Sequence, residues 1–142
     1  GLTTDVIAGF SGETEQDHQD TLTLMEQVVF DSAFMFAYSE RPGTLASRKY
    51  PDDIPYELKT QRLNEIIALQ GRMSLKSNEK EVGRILKVLV EGPSKKNQEE
   101  LCGRASSNKM CVFPSRGEKA GDYCEVEVVS VTSATLLCKR LD

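Results

Sequence analysis

A chain of 142 residues with 39% hydrophobic and 28% charged side chains has the balance of a folded, water-facing protein, in one domain or two small ones. No stretch approaches the roughly 20 consecutive apolar residues of a membrane helix, and nothing basic precedes a hydrophobic stretch as in a secretory signal, so a cytoplasmic location is expected. The formal charge of −4 hides an asymmetry: residues 1–75 carry 6 Lys/Arg against 12 Asp/Glu, and residues 76–142 carry 12 against 10. Residues 76–117 are the most basic part, with 9 against 5, and a local positive face matters more to a polyanion than the total does.

The first residues, Gly1-Leu2-Thr3-Thr4-Asp5-Val6, already read as the entry to a strand, and the start is expected to be a cut. Asp5–Phe10 is a short apolar run ended by Ser11-Gly12, which predicts a buried strand. Thr14 then predicts a helix cap, with Asp17 completing a capping box. His18, Leu22, Met25 and Val29 follow on one face, and His18 is expected to pack there rather than act as a ligand. Ser32–Tyr38 is aromatic-rich and predicts a second strand, closed by a turn at Ser39–Thr44. Strand, helix, strand implies a parallel pair with a right-handed crossover. Two parallel strands make a poor sheet, so this half is expected to be marginal by itself. Its open edges invite pairing between copies that need not be physiological.

Residues 51–55 form a Pro-rich linker, and Pro55 suits the first turn of a helix reaching about Ser74. Leu63, Ile66, Ile67 and Leu69 line it, with Lys59, Arg62 and Glu65 among them, as on an outer or bridging helix. From Glu81 the texture changes to short alternating runs: 83–93, 101–105, 109–114, 123–131 and 134–139. Five strands in about 60 residues predict a small closed barrel of the oligonucleotide-binding type, with bends at Gly83, Gly92, Gly103 and Gly121. The fold class is therefore α/β followed by all-β, divided as 1–50, 51–75 and 76–142.

Cys102, Cys111, Cys124 and Cys138 are too widely spaced for a zinc knuckle or a tight iron–sulfur run, and free buried thiols are the expected state. With His18 as the sole histidine, an independent metal or redox protein ranks last. Lys95, Lys96, Arg104 and Lys109 come from adjacent loops and short strands, so closure is expected to gather them on one face, where cations would bind phosphates. Asn108 suits either a base contact or a turn, and Tyr123 is similarly open. Phe113 fits the core better than a stacking role. The competing reading is a structural module whose charges are only solvated.

Thr4–Thr14 resembles a late strand and loop of the radical-SAM methylthiotransferases, and Tyr38–Thr44 resembles the next strand end of the same family. Val90–Lys96, with Gly103-Arg104 and Asn108-Lys109, resembles its appended TRAM domain. The likeness covers the whole chain and is closest to the branch acting on isopentenylated adenosine beside the tRNA anticodon. Relatives that modify threonylcarbamoyladenosine or a ribosomal protein are the alternative. Two departures are Ser11 in place of a usual proline and His18 in place of an aromatic residue, the latter favouring a core role.

The resemblance implies the last βαβ part of a radical-SAM partial TIM barrel plus a helix, then an OB-like TRAM barrel that binds tRNA. It implies S-adenosylmethionine and two 4Fe-4S iron–sulfur clusters in a complete enzyme, which inserts sulfur by radical chemistry and then methylates it. The cluster cysteines belong to a missing amino-terminal domain and radical-SAM core, so this piece is expected to be inactive and to hold no cofactor stably. Ile7 and Gly9 match the strand near the adenosyl group. Tyr38 and Arg41, at a strand end, would face the substrate, although Arg41 equally suits a turn or a salt bridge.

Overall fold

The computed structural model describes residues 1–141. The chain divides into two compact units, one of Leu2–Met73 and one from Ser74 onward.

In the first unit, β1 (Thr3–Ala8) and β2 (Ser32–Ala37) pair in parallel, in register from Thr3 opposite Ser32 to Ala8 opposite Ala37. Between them runs α1 (Glu15–Val28). Its start follows the expected chemistry: the Thr14 hydroxyl accepts the Asp17 amide at 3.1 Å, and the Asp17 carboxylate accepts the Thr14 amide at 2.8 Å. The Thr14 hydroxyl and amide hold the Asp17 carboxyl below its ordinary range. At the other end Val29, read as part of the apolar face, is the cap instead, left-handed at φ 54°. A short helix absent from the sequence reading, α2 (Leu45–Lys49), follows the Pro-Gly turn, with the Thr44 hydroxyl accepting the Ser47 amide.

α3 (Tyr56–Glu79) runs a turn beyond Ser74. Ala8, Met25, Ile66 and Leu69 form the centre of the first unit, with Val6, Leu22 and Met35 packed around them. Alternation along the strands puts the other sheet face in the open, where Ile7, Phe34 and Phe36 are each more than half exposed.

In the second unit, β3 (Ile85–Pro93), β4 (Glu100–Ala105), β5 (Met110–Pro114), β6 (Tyr123–Val131) and β7 (Leu136–Arg140) close a barrel in the order β3-β4-β5-β7-β6. Every pairing is antiparallel except β5 with β7, a parallel seam of two residue pairs. The interior takes every second residue: Val88 and Val90, Leu101, Cys111 and Phe113, Val126 and Val128, Leu136 and Cys138. All four cysteines are free, and Cys111, Cys124 and Cys138 are buried apolar filling, with burial pushing the Cys124 thiol up. Gly103 is required by close approach, because a Cβ there would stand 2.3 Å from the Leu89 carbonyl oxygen. Gly92 marks a register shift in β3 at φ 148°.

The end of α3 is fastened to this barrel by polar contacts. The Lys109 ammonium donates to the Ser77 carbonyl and hydroxyl, each at 3.0 Å, and pairs with Glu81 at 3.2 Å. The Asn78 amide donates to the Thr132 carbonyl at 2.8 Å. These partners explain why a polar run, Lys76-Ser77-Asn78, stays helical past the point where sequence periodicity ends.

Candidate functional site

Two regions carry the predicted site residues, one in each unit. In the first, β1 and β2 end in the segments that hold Gly9, Tyr38 and Arg41. A cleft there is lined by Asp5, Ile7, Phe36, Tyr38, Arg41 and Thr44 among others, so the fold brings Ile7, Tyr38 and Arg41 together. Ile7 is 55% exposed and offers an apolar wall, with the half-buried Tyr38 and exposed Arg41 beside it.

Gly9 does not line the cleft. It turns the chain at φ 78°, and the space where its Cβ would stand is filled by the Lys59 stem, whose Cγ lies 2.3 Å from that point. The openness that glycine provides here is used by α3 of the same chain. Past Gly9, the Lys59 ammonium donates to the Tyr38 carbonyl at 3.3 Å, pairs with Asp52 and sits 5.2 Å from the centre of the Tyr38 ring. One turn along α3, the Arg62 guanidinium donates to the Glu13 carboxylate at 2.8 Å and to its carbonyl at 3.0 Å. The same Glu13 carboxylate accepts the Gly9 amide at 3.0 Å.

Lys59 and Arg62 are 4% and 3% exposed, which corrects their reading as polar residues of an outer helix. They lie at three- and four-residue spacing with Ile66, Leu69 and Met73, so the stripe was present in the sequence, masked by residue type. His18 is fully buried, and its Nε2 meets the Glu65 carboxylate at 2.7 Å. That hydrogen bond leads the causes holding the Glu65 carboxyl below its usual value.

In the barrel the expected gathering of Lys95, Lys96, Arg104 and Lys109 on one face does not occur. Lys95 and Lys96 are exposed in the hairpin joining β3 to β4, whereas Asn108 and Lys109 lie in the hairpin joining β4 to β5. The six residues of β4 separate the two hairpins by roughly 17 Å. Lys109 is committed internally, its side chain 9% exposed against the end of α3. Asn108 adopts φ 64°, a turn conformation, and its carbonyl accepts the Arg104 guanidinium at 2.9 Å. Arg104 also pairs with Glu91 at 3.2 Å, with both side chains partly exposed. Phe113 is fully buried, as its core reading required.

Three outward residues were missed or left open. Inward Cys124 and Val126 force Tyr123 outward, and inward Val88 and Val90 do the same for Lys87 and Leu89. Leu89 stands opposite Arg104 on one side and Tyr123 on the other. The Lys87 ammonium lies 4.8 Å from the centre of the Tyr123 ring. Lys87, Leu89, Tyr123 and Arg104 therefore meet on the β4–β3–β6 side.

Residues 79–139 match the TRAM domain model. The chain carries a TRAM domain. It is also 52% identical over 136 residues, 96% of its length, to the tRNA-2-methylthio-N(6)-dimethylallyladenosine synthase of Phocaeicola vulgatus. The enzymes of the same name from Amoebophilus asiaticus and Chlorobium phaeobacteroides are 53% and 52% identical over a similar span. By sequence the chain is similar to these synthases over nearly its whole length. It spans about 30% of the length of the curated relatives it matches. The TRAM domain holds the barrel, Lys95, Lys96, Arg104, Lys87 and Tyr123, while the cleft of Ile7, Tyr38 and Arg41 precedes it in the chain.

Proposed function

We propose that this chain is the tRNA-holding part of a cytoplasmic tRNA methylthiotransferase, which as a complete protein converts N6-isopentenyladenosine beside the anticodon to its 2-methylthio derivative. The observation that carries this reading is identity above 50% to synthases of that name across 96% of the chain. In this reading residues 1–50 are the last part of the catalytic barrel, 51–75 lead out of it, and 76–142 hold RNA. The remaining amino-terminal and radical-SAM core portions are its partners within one polypeptide, packing on the open sheet face at Phe34.

The TRAM domain binds tRNA through phosphate contacts from Lys95 and Lys96, which are exposed, and from Arg104, which exchanges its Glu91 partner for a phosphate. Lys109 and Asn108 support this surface from behind by fixing the β4–β5 hairpin, and do not touch the RNA. Tyr38 and Arg41 flank the substrate at the strand ends, and Ile7 offers the apolar contact for the adenosyl group. Gly9 contributes by its turn. When bound, S-adenosylmethionine and two 4Fe-4S clusters supply the radical chemistry and the methyl group. The cleft, with one apolar wall, one ring and one guanidinium, fits an adenosyl group or a nucleoside. Among the described residues no group of three or more His, Cys, Asp or Glu is placed to hold a metal, and no cluster is assigned to them.

The test is tRNA affinity across a salt series. The chain binds with affinity that falls as salt rises, and replacing Lys95, Lys96 and Arg104 together with alanine flattens the log–log slope by about 2 to 3. Affinity indifferent to salt, or absent, overturns the reading. An unchanged affinity in the complete enzyme bearing the triple substitution favours a packing role for the barrel instead. Mass spectrometry of tRNA from cells lacking the complete gene checks the product: loss of the 2-methylthio group from isopentenyladenosine is expected. Its loss from threonylcarbamoyladenosine, or from a ribosomal protein, assigns the chain to another branch.

A further inference from the structure

We infer that Tyr123 is a stacking platform for one unpaired RNA base, so that the TRAM domain recognises a single-stranded stretch or loop of its RNA rather than a duplex. The inference rests on the RNA-holding reading above and adds to it the kind of nucleotide held.

Tyr123 is 62% exposed at the start of β6, on a barrel whose interior is already filled by Phe113 and aliphatic side chains. The pleat forces its ring outward, so its exposure follows from the same alternation that builds the core. The ring is oriented by the Lys87 ammonium, 4.8 Å from its centre. Leu89 lies beside it in register on β3 and supplies an apolar floor, being 37% exposed. Beyond Leu89 stands Arg104, two strand spacings from Tyr123, or roughly 10 Å. Lys95 and Lys96 follow a few residues after Leu89, at the same end of the barrel as the start of β6. An aromatic ring flanked by cations at the spacing of neighbouring nucleotides matches a strand whose base lies on the ring while its phosphates meet Lys87, Lys95 and Arg104.

Charge selects this occupant over an acidic or neutral peptide less sharply than the ring does. Glu125 and Glu127 face outward from β6 and Glu91 from β3, so the cations form a narrow set: Lys87, Arg104 and, in the hairpin after β3, Lys95 and Lys96. A narrow strip with one stacking ring suits a single strand, whereas in a duplex each base is already stacked and its phosphates stand too wide apart to bring a base to the ring.

The experiment compares binding of the full 142-residue chain to a 12-nucleotide single-stranded RNA and to a duplex of the same sequence, by fluorescence anisotropy over a salt series. Tyr123→Ala is expected to weaken single-strand binding about tenfold or more and duplex binding by less than threefold, with the salt slope unchanged because no phosphate contact is lost. Tyr123→Phe should bind as the parent does. Tyr123→Leu, which keeps apolar bulk without the ring, should lose as much as alanine, and equal thermal melting of all three excludes unfolding as the cause. Single-strand binding unchanged in Tyr123→Ala, while the Lys95/Lys96/Arg104 variant is weakened, overturns the platform and leaves the RNA-holding reading standing. Equal losses on both RNAs overturn the preference for an unpaired base. A parent chain without affinity for either RNA overturns both.

Discussion

The unit of Leu2–Met73 buries His18, Lys59 and Arg62, each set against a carboxylate, whereas the barrel interior is valine, leucine, phenylalanine and thiol. The first unit has only a two-stranded sheet, and its helices are held in place by polar partners distant in sequence, 47 residues apart for His18 with Glu65 and 49 for Arg62 with Glu13. The barrel closes on itself, and its own ion pairs, Lys109 with Glu81 and Arg140 with Glu118, lie outside that apolar interior. Buried ion pairs add little net stability over apolar packing but are costly to break from one side, so the first unit gains placement and the barrel gains durability. That division suits a region that must aim side chains beside one that must present a rigid surface.

The contrast is broken most severely by single changes to each interior. Arg62→Met leaves the Glu13 carboxylate without its guanidinium and should cost the first unit about 3–5 kcal/mol, read by urea unfolding. Phe113→Ala empties the centre of the barrel and should cost that unit a similar ~3–5 kcal/mol. The two-unit picture requires that each variant lower the stability of its own unit, followed by amide exchange at Met25 and at Val88. A loss spread equally over both probes would deny it.

Acid sharpens the comparison with a smaller effect. Glu15, Asp17 and Glu65 in the first unit have carboxyls lowered chiefly by hydrogen bonds from Gln19, Thr14 and His18, against Glu118 in the barrel, lowered chiefly by the Arg116 amide. A carboxyl lowered by folding stabilises the folded state above its ordinary value, near 4.5 for Glu65, and that support disappears as pH falls through the lower folded value. The first unit should therefore loosen before the barrel as pH drops below about 4.5, detectable as earlier shifts of its backbone NMR signals. The smallest change is at Val29, a β-branched residue held at φ 54°. Val29→Gly should stabilise the first unit by about 1 kcal/mol, and a lower melting temperature would refute it.

Much of the barrel was legible because period-two alternation reports burial directly, and Cys124-Glu125-Val126-Glu127-Val128 leaves no choice of face. The capping box at Thr14 was equally local. What the sequence withheld depends on partners far along the chain. Lys59 and Arg62 look solvent-facing by type, and only Asp52, the Tyr38 carbonyl and Glu13 make their burial affordable. Lys109 reads as a phosphate ligand until the end of α3 takes its ammonium. α2 is five residues long, below the length at which periodicity speaks. Tyr38 and Arg41 were named from a strand end and Ile7 from the resemblance, and the three line one cleft, while Tyr123 needed only the parity of β6 to be read as outward.

Positions 9 and 59 constitute one choice rather than two. Any side chain larger than hydrogen at the first collides with the lysine stem, and a lysine at the second reaches the Tyr38 carbonyl only by crossing the bare backbone of Gly9. Across related sequences the pair should change together, a shorter residue at 59 accompanying any departure from glycine at 9. A laboratory swap that alters both should be milder than the Gly9 change made alone.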